Sequence, residues 1–133
     1  MIRFVTETGR PWKSFNGRNP ERASHPATDL TWHDARAYCA WVTEKWRAEG
    51  RIGPGEIARL PLEREWEAAA RGPSGRLYPW GEAWAAEHAN GEETGFNDIC
   101  TVGLFPEGRA PSGALDMAGQ VCHNGDAWWT DCS

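Results

Sequence analysis

The sequence predicts an α+β domain with two helices, short strands and long loops. Two segments with a helical apolar period are bounded by helix start and stop signals. After residue 72, glycine or proline recurs every few residues, which permits only short strands and loops. No repeat or linker interrupts the 133 residues, so we interpret residues 1–133 as a single domain.

The first 30 residues mix turn formers with single aromatic residues and follow neither a helical nor a strand period. We expect loop with short extended pieces there. A first helix is predicted over residues 31–49, because Thr31 is a suitable N-cap, Asp34 completes a capping box and Gly50 is a stop signal. Its apolar face contains Ala35, Tyr38, Cys39, Val42 and Trp46.

A second helix is predicted over residues 61–71. Pro61 suits the first turn, Glu63 and Glu65 favour the positive end of the helix dipole, and Gly72 ends the segment. We expect the two helices to pack through Tyr38, Trp41 or Val42, Trp46, Trp66 and Ala70.

The composition argues against several classes of partner. The net charge of -5 disfavours binding to nucleic acid or to anionic lipid. The longest apolar run, residues 37–42, is far shorter than the ~20 residues that span a bilayer. Residues 1–9 lack the apolar core of a signal peptide, so a cytoplasmic location is the default expectation.

The cysteines, at positions 39, 100, 122 and 132, form no C-x-x-C pair and match neither a zinc ribbon nor a thioredoxin motif. We expect Cys39 to be a buried structural residue and expect no catalytic cysteine. A metal site built from Cys122, His123 and Cys132 is a weaker alternative, because their spacing is unlike established zinc spacings. The sequence leaves the disulfide and oligomeric states open.

Four segments, in order, resemble the formylglycine-generating enzyme (sulfatase-modifying factor) family. They are residues 30–41, 59–72, 78–81 (Tyr-Pro-Trp-Gly) and 113–121. The resemblance runs from about Phe4 to Val121 and covers the front portion of the family domain. It implies a C-type-lectin-like fold that is incomplete at the C-terminus.

The resemblance also implies an ancestral role, oxidation of a substrate cysteine to formylglycine by a copper-binding cysteine pair. The segment that carries this pair in the family does not occur before Ser133. We therefore assign no catalytic and no cofactor-binding residues and expect this chain to be inactive. The alternative is a non-catalytic C-type-lectin-like module, including a diversified variable protein, that binds a protein or peptide ligand. A third interpretation is the related domain of iron-dependent sulfoxide synthases. Those enzymes also use a helical partner domain, which this sequence does not contain.

Two structural calcium sites are implied by the family. One corresponds to Asn90, the carbonyl of Gly91 and a carboxylate from the following loop, Asp98. The other corresponds to Asp116, the carbonyls of Gly119 and Val121, and His123. The family has a glutamate where His123 stands, and calcium requires oxygen ligands, so we expect the second site to be weak. The alternatives are a turn cap at Asp116 and a local Gly/Asn/Asp turn cluster at residues 90–98.

Two departures from the family pattern bear on stability. Leu62 stands where the family usually has a capping threonine, and loss of such a cap costs about 1 kcal/mol. Residues 120–124 (Gln-Val-Cys-His-Asn) replace Asn-Val-Trp-Glu-Trp, which removes two core indoles. We therefore expect the chain after Val121 to pack differently from the family.

Overall fold

The computed structural model describes residues 2–11, 13 and 19–120. The chain divides into two compact units. The first unit comprises residues 1–23 and 27–61, and the second comprises residues 24–26 and 62–133. Three α-helices are present in the described residues: α1 (Ile2–Thr8), α2 (Trp32–Ala48) and α3 (Glu63–Arg71). Whether the chain acts as one domain stays a prediction.

Helix α1 corrects the expectation of loop in the first 30 residues. A seven-residue helix is marginal by itself, so its stability must come from tertiary contacts. Phe4 supplies them, since it is only 2% exposed and meets two α2 rings edge-on. The ring centroids lie 5.5 Å from Tyr38 and 5.6 Å from Trp41. Seven residues are too few for a helical period in the sequence to predict this packing.

The carboxylate of Glu7 makes a second attachment between α1 and α2. It accepts a hydrogen bond from Trp41 Nε1 (3.2 Å) and pairs with Lys45 Nζ (2.6 Å) and Arg3 Nε (2.9 Å). The hydrogen bond from Lys45, followed by those from Arg3 and Trp41, lowers the pKa of Glu7 to about 2. The ionised carboxylate therefore stabilises the docked α1.

Helix α2 confirms the predicted first helix within one residue at each end. The backbone N–H of Asp34 donates to Thr31 Oγ1 (3.2 Å), and the backbone N–H of Thr31 donates to Asp34 Oδ2 (3.2 Å). This reciprocal pair is the predicted capping box. Hydrogen bonds from Thr31, chiefly its hydroxyl, and from Arg10 lower the pKa of Asp34. At the other end, Gly50 adopts a left-handed conformation (φ 67°) just beyond the helix.

Thr43 ties the chain after α2 back onto the helix. Its hydroxyl accepts the backbone N–H of Ala58 (2.9 Å) and also lies 2.9 Å from the carbonyl oxygen of Cys39. Thr43 is 5% exposed, so both contacts are shielded from water. Nearby, Arg47 Nη2 donates to the carbonyl of Glu56 (2.9 Å). The segment after the helix is thus held by side chains rather than by strand pairing.

Helix α3 confirms the second predicted helix, with a later start. Leu62 occupies the N-cap position and has no side-chain acceptor, so only half of a capping box is present. In that half, the backbone N–H of Leu62 donates to Glu65 Oε2 (2.8 Å). The helix ends at Gly72, whose φ of 68° favours glycine.

After α3 the described chain consists of turns and loops with three short 3₁₀ segments, Ala86–His88, Glu92–Thr94 and Pro106–Gly108. Within residues 2–11, 13 and 19–120 the only β pairing is an isolated antiparallel bridge between Tyr78 and Gly81. The long loops are therefore as predicted, and the short strands stay a prediction. So does the packing of α2 on α3, which belong to different units. None of the described helices is long and apolar enough to cross a membrane.

The missing cap of α3 yields a stability prediction. Leu62→Thr and Leu62→Val introduce side chains of nearly equal shape, but only threonine offers an acceptor for the first-turn N–H groups. We expect the threonine variant to be more stable than the valine variant by about 1 kcal/mol in urea unfolding. Equal stability of the two variants would show that the start of α3 is not limited by its cap.

The Glu7 attachment yields a pH prediction. Because the folded-state pKa is about 2 against an ordinary value of 4.5, Glu7 contributes stability above about pH 4.5 and loses it as the pH falls toward 2. We expect Glu7→Gln to lower the unfolding midpoint at pH 7 and to match the parent near pH 2. Glu82→Gln, at an exposed position, is the control and should show little effect at pH 7. A deficit of Glu7→Gln that persists unchanged at pH 2 would contradict this assignment.

Candidate functional site

Several of the predicted oxygen ligands in the described part of the second unit lie in the loop formed by residues 90–98, called here the 90–98 loop. The buried Ala89 precedes it, and the 3₁₀ segment Glu92–Thr94 forms its first half. Gly95 (φ 67°) and Asn97 (φ 50°) then adopt left-handed conformations. These conformations bend the chain back on itself, so oxygens from separate residues face one another.

Two of the predicted ligand oxygens converge on a single hydroxyl. Thr94 Oγ1 lies 2.9 Å from Asn90 Oδ1 and 2.8 Å from the carbonyl oxygen of Gly91. A hydroxyl carries one hydrogen, so it donates fully to only one of these acceptors at a time. The carbonyl of Gly91 also accepts the backbone N–H of Thr94 (3.3 Å), so the hydroxyl hydrogen is free to serve Asn90 Oδ1, and both oxygens lie next to Thr94.

The other end of the Asn90 amide joins the loop to the turn at residues 116–120. Asn90 Nδ2 donates to the carbonyl of Asp98 (2.9 Å) and to Gln120 Oε1 (3.3 Å). The backbone N–H of Gln120 donates to the carbonyl of Asn90 (3.2 Å). The approach is so close that a Cβ at Gly119 would lie 2.8 Å from that carbonyl oxygen. The structure thus joins Gly119 to Asn90 through the backbone, and it joins Asp98 to Asn90 through the Asp98 backbone carbonyl, on the Nδ2 side of the amide.

Gln120 is a central member of this arrangement that the sequence analysis treated only as a departure from the family. Its Oε1 also accepts the backbone N–H of Cys100 (3.0 Å). Its Nε2 lies 3.3 Å from the carbonyl oxygen of Cys100 and 3.1 Å from its Sγ. A polar residue after a turn glycine was the only available signal, and such a residue is usually solvent-exposed.

The two predicted carboxylates both bind backbone groups. Asp98 Oδ1 accepts the N–H of Ile99 (2.8 Å), and Asp116 Oδ2 accepts the N–H of Gly103 (2.7 Å). The second bond is the one expected if Asp116 stabilises a loop. Val121 and His123, the remaining predicted ligands, lie outside the described residues. The calcium assignment at all seven positions stays a prediction.

The donor atoms of the 90–98 loop fit a hard cation and do not fit copper. An amide oxygen, a backbone carbonyl and a carboxylate are the ligand types that calcium selects. Copper(I) instead prefers thiolates. In the part of the chain that the structure describes, no three Cys, His, Asp or Glu side chains are grouped to hold a metal. Burial raises the pKa of the Cys39 thiol and of the Cys100 thiol, which keeps both protonated at neutral pH.

An aromatic cluster supports the loop from one side. The rings of Tyr78 and Trp80 stack at 5.5 Å, and Trp84 lies 5.6 Å from Trp80. Trp84 Nε1 donates to Glu93 Oε1 (2.9 Å), and a Cβ at Gly91 would lie 2.8 Å from the Trp84 ring. The indole therefore packs closely against Gly91, whose carbonyl accepts hydrogen bonds from Thr94.

Comparison with known proteins supports this reading of the motifs. The family described as sulfatase-modifying factor enzyme 1-like domain matches residues 3–133. The formylglycine-generating enzyme of Mus musculus is 31% identical over 142 residues, covering 90% of this chain and 34% of that protein. The inactive C-alpha-formylglycine-generating enzyme 2 of Bos taurus is 36% identical over 112 residues, covering 76% of this chain and 32% of that protein.

A solved structure shares the fold. PvdO from Pseudomonas aeruginosa superposes with a TM-score of 0.61 at 25% identity, covering 86% of this chain and 47% of PvdO. This confirms the predicted formylglycine-generating-enzyme-like fold. The chain spans about a third of the length of these two curated relatives. With nearly all of its residues matched in order, the chain belongs to the sulfatase-modifying factor enzyme 1-like domain family.

Proposed function

We propose that this chain forms the scaffold of a formylglycine-generating-enzyme-like domain and does not by itself oxidise a substrate cysteine. The observation that carries this proposal is the state of the two described cysteines. Cys100 is 8% exposed and Cys39 is half-buried, and burial raises the pKa of each thiol. Copper chemistry requires thiolates, and neither thiol is suited to supply one.

The residues of the chain bear on its activity more directly than its overall similarity does. Relatives named as formylglycine-generating enzymes and relatives named as inactive are both found at 31–36% identity. Bound copper would supply the activation of oxygen, and this chain's described thiols lack the surroundings that hold it. A thiolate site normally has a nearby cation, histidine or helix N-terminus. At Cys100, burial, which is the largest effect, and the charge of Asp116 raise the pKa, and the hydrogen bonds from the Gln120 amide and from the backbone do not offset them.

We further propose that the 90–98 loop binds a structural calcium ion through Asn90 Oδ1, the Gly91 carbonyl and Asp98. The convergence of the first two oxygens on Thr94 supports this assignment. A weaker site is proposed at Asp116, Gly119, Val121 and His123, because imidazole cannot replace the charge and the two oxygens of a carboxylate. Calcium here would stiffen loops and would take no part in oxidation.

Binding of a protein or peptide without chemistry is a second candidate function. Three large apolar side chains in one stretch of the second unit are about half exposed: Phe96 (52%), Val102 (51%) and Leu104 (48%). Exposed apolar side chains in loops favour contact with another chain. The first experiment below separates binding from turnover in the same samples.

We expect no formylglycine when the purified chain is incubated with copper(I), oxygen, a reductant and a fluorophore-labelled peptide that carries a sulfatase-type cysteine motif. Mass spectrometry of the peptide measures the aldehyde, and fluorescence anisotropy of the same samples measures binding. A catalytically competent formylglycine-generating enzyme is the positive control. Aldehyde above the no-enzyme background, lost in Cys100→Ser, would show that a buried thiol does serve and would overturn the proposal.

We expect Asp98→Ala to weaken calcium binding about tenfold or more, because it removes the only carboxylate assigned to the stronger site. Asp116→Ala should change the affinity much less. His123→Glu should strengthen binding at the second site. Isothermal titration calorimetry of the parent and the three variants measures these effects. An unchanged affinity in Asp98→Ala together with complete loss in Asp116→Ala would reverse the ranking of the two sites.

A further inference from the structure

We propose that Gln120 is a positioning residue that sets the orientation of the Asn90 amide and thereby directs Asn90 Oδ1 toward the cation side of the 90–98 loop. The part of this inference that concerns calcium rests on the proposed cation site. The orientation itself follows from hydrogen bonds among described residues of the second unit and does not depend on a bound ion.

The backbone of Cys100 fixes the orientation of the Gln120 amide. Its N–H donates to Gln120 Oε1 (3.0 Å), and its carbonyl lies 3.3 Å from Gln120 Nε2. The Gln120 amide thus hydrogen-bonds to the N–H and the carbonyl of Cys100, as the backbone of a neighbouring β-strand would. Turning the Gln120 amide over would place an NH₂ group against an N–H and an oxygen against a carbonyl, losing both bonds. The Cys100 peptide therefore fixes which end of Gln120 faces Asn90.

Gln120 in turn fixes Asn90. With Oε1 facing it, Asn90 must present Nδ2, and both of its amide hydrogens are used, one toward Gln120 Oε1 (3.3 Å) and one toward the carbonyl of Asp98 (2.9 Å). A reversed Asn90 amide would put Oδ1 beside those two oxygens with no hydrogen between them. The reversed state therefore combines lost hydrogen bonds with repulsion between acceptors.

The consequence appears on the opposite side of the loop. Once Nδ2 faces Gln120, Asn90 Oδ1 must face Thr94 Oγ1, where the Gly91 carbonyl also points. Calcium accepts the oxygen of an amide and not its nitrogen. Only this orientation of Asn90 gives the loop two neighbouring oxygen ligands. Gln120 thus acts on the cation site without contacting the cation, as residues behind metal ligands commonly do.

Two substitutions of similar length test the assignment. Gln120→Met keeps the volume and removes both polar atoms. Gln120→Glu keeps an acceptor for Asn90 Nδ2 and for the Cys100 N–H but loses the donor to the Cys100 carbonyl. Asn97→Gly, which removes a different amide of the same loop and tolerates the local φ of 50°, is the control. The first readout is the rate of solvent exchange of the Asn90 side-chain NH₂ hydrogens, which ¹⁵N NMR measures in the absence of calcium.

We expect exchange of the Asn90 NH₂ hydrogens to be about threefold to tenfold faster in Gln120→Met, as the loss of one hydrogen bond predicts. Asn97→Gly should stay close to the parent, and Gln120→Glu, which keeps the acceptor for Asn90 Nδ2, should show slower exchange than Gln120→Met. The backbone amides of α3 should be unchanged in all variants, which separates a local effect from general destabilisation. Parent-like exchange in Gln120→Met would overturn the positioning role.

Calcium titration of the same proteins tests the second half of the inference. We expect the calcium affinity of Gln120→Met to fall about tenfold or more and that of Gln120→Glu to be retained. Faster exchange in Gln120→Met with an unchanged calcium affinity would overturn the link to the cation site. A parent protein that binds no calcium would overturn the proposed cation site, while the exchange result would still decide whether Gln120 positions Asn90.

Discussion

The amide pair of Asn90 and Gln120 is the constraint on which the described loops of the second unit depend. The two residues stand 30 positions apart in sequence, yet their side chains and backbones are joined by two hydrogen bonds. The closeness of the chains leaves no room for a Cβ at Gly119. Through this pair, Cys100, Asp98 and Thr94 are placed in one connected network of polar contacts. Where such a network is partly buried, it specifies geometry because each unmade bond carries a penalty.

The two units are stabilised by different means. The first unit has large apolar anchors among its described residues, with Phe4 only 2% exposed and Val42 only 8% exposed. In the described part of the second unit the buried apolar side chains are small: Ala70, Pro79, Ala89, Cys100 and Ala110. Small side chains supply little burial energy. Polar contacts, left-handed turn residues and the cluster of Tyr78, Trp80 and Trp84 therefore determine where its described loops lie.

The sequence allowed the regular elements to be predicted where a local signal was strong. The capping box of Thr31 and Asp34 and the stop at Gly50 located α2 within one residue at each end. Helix α1 was not predicted, because seven residues contain too little periodicity and the helix depends on Phe4 reaching Tyr38 and Trp41. Long-range packing of this kind has no signature in the local sequence.

Only part of the candidate site could be predicted from the sequence, because its geometry also depends on contacts between distant residues. Family motifs indicated Asn90 and Gly91, and the structure places their oxygens around Thr94. Gln120 was regarded only as a substitution for the asparagine of the family. Its role depends on the extra length of the side chain, which lets it reach both the Cys100 peptide and Asn90. Whether a side chain can reach both groups depends on the distance between the two loops. That distance is known only from the three-dimensional structure.

A double-mutant cycle between Asn90 and Gln120 tests this central constraint most directly. The free energy of urea unfolding is measured for the parent, Asn90→Ala, Gln120→Met and the double variant. If the two amides hold the loops as described, the two single changes will be non-additive, with a coupling free energy of about 0.5–3 kcal/mol. Additive effects, with a coupling near zero, would contradict the account.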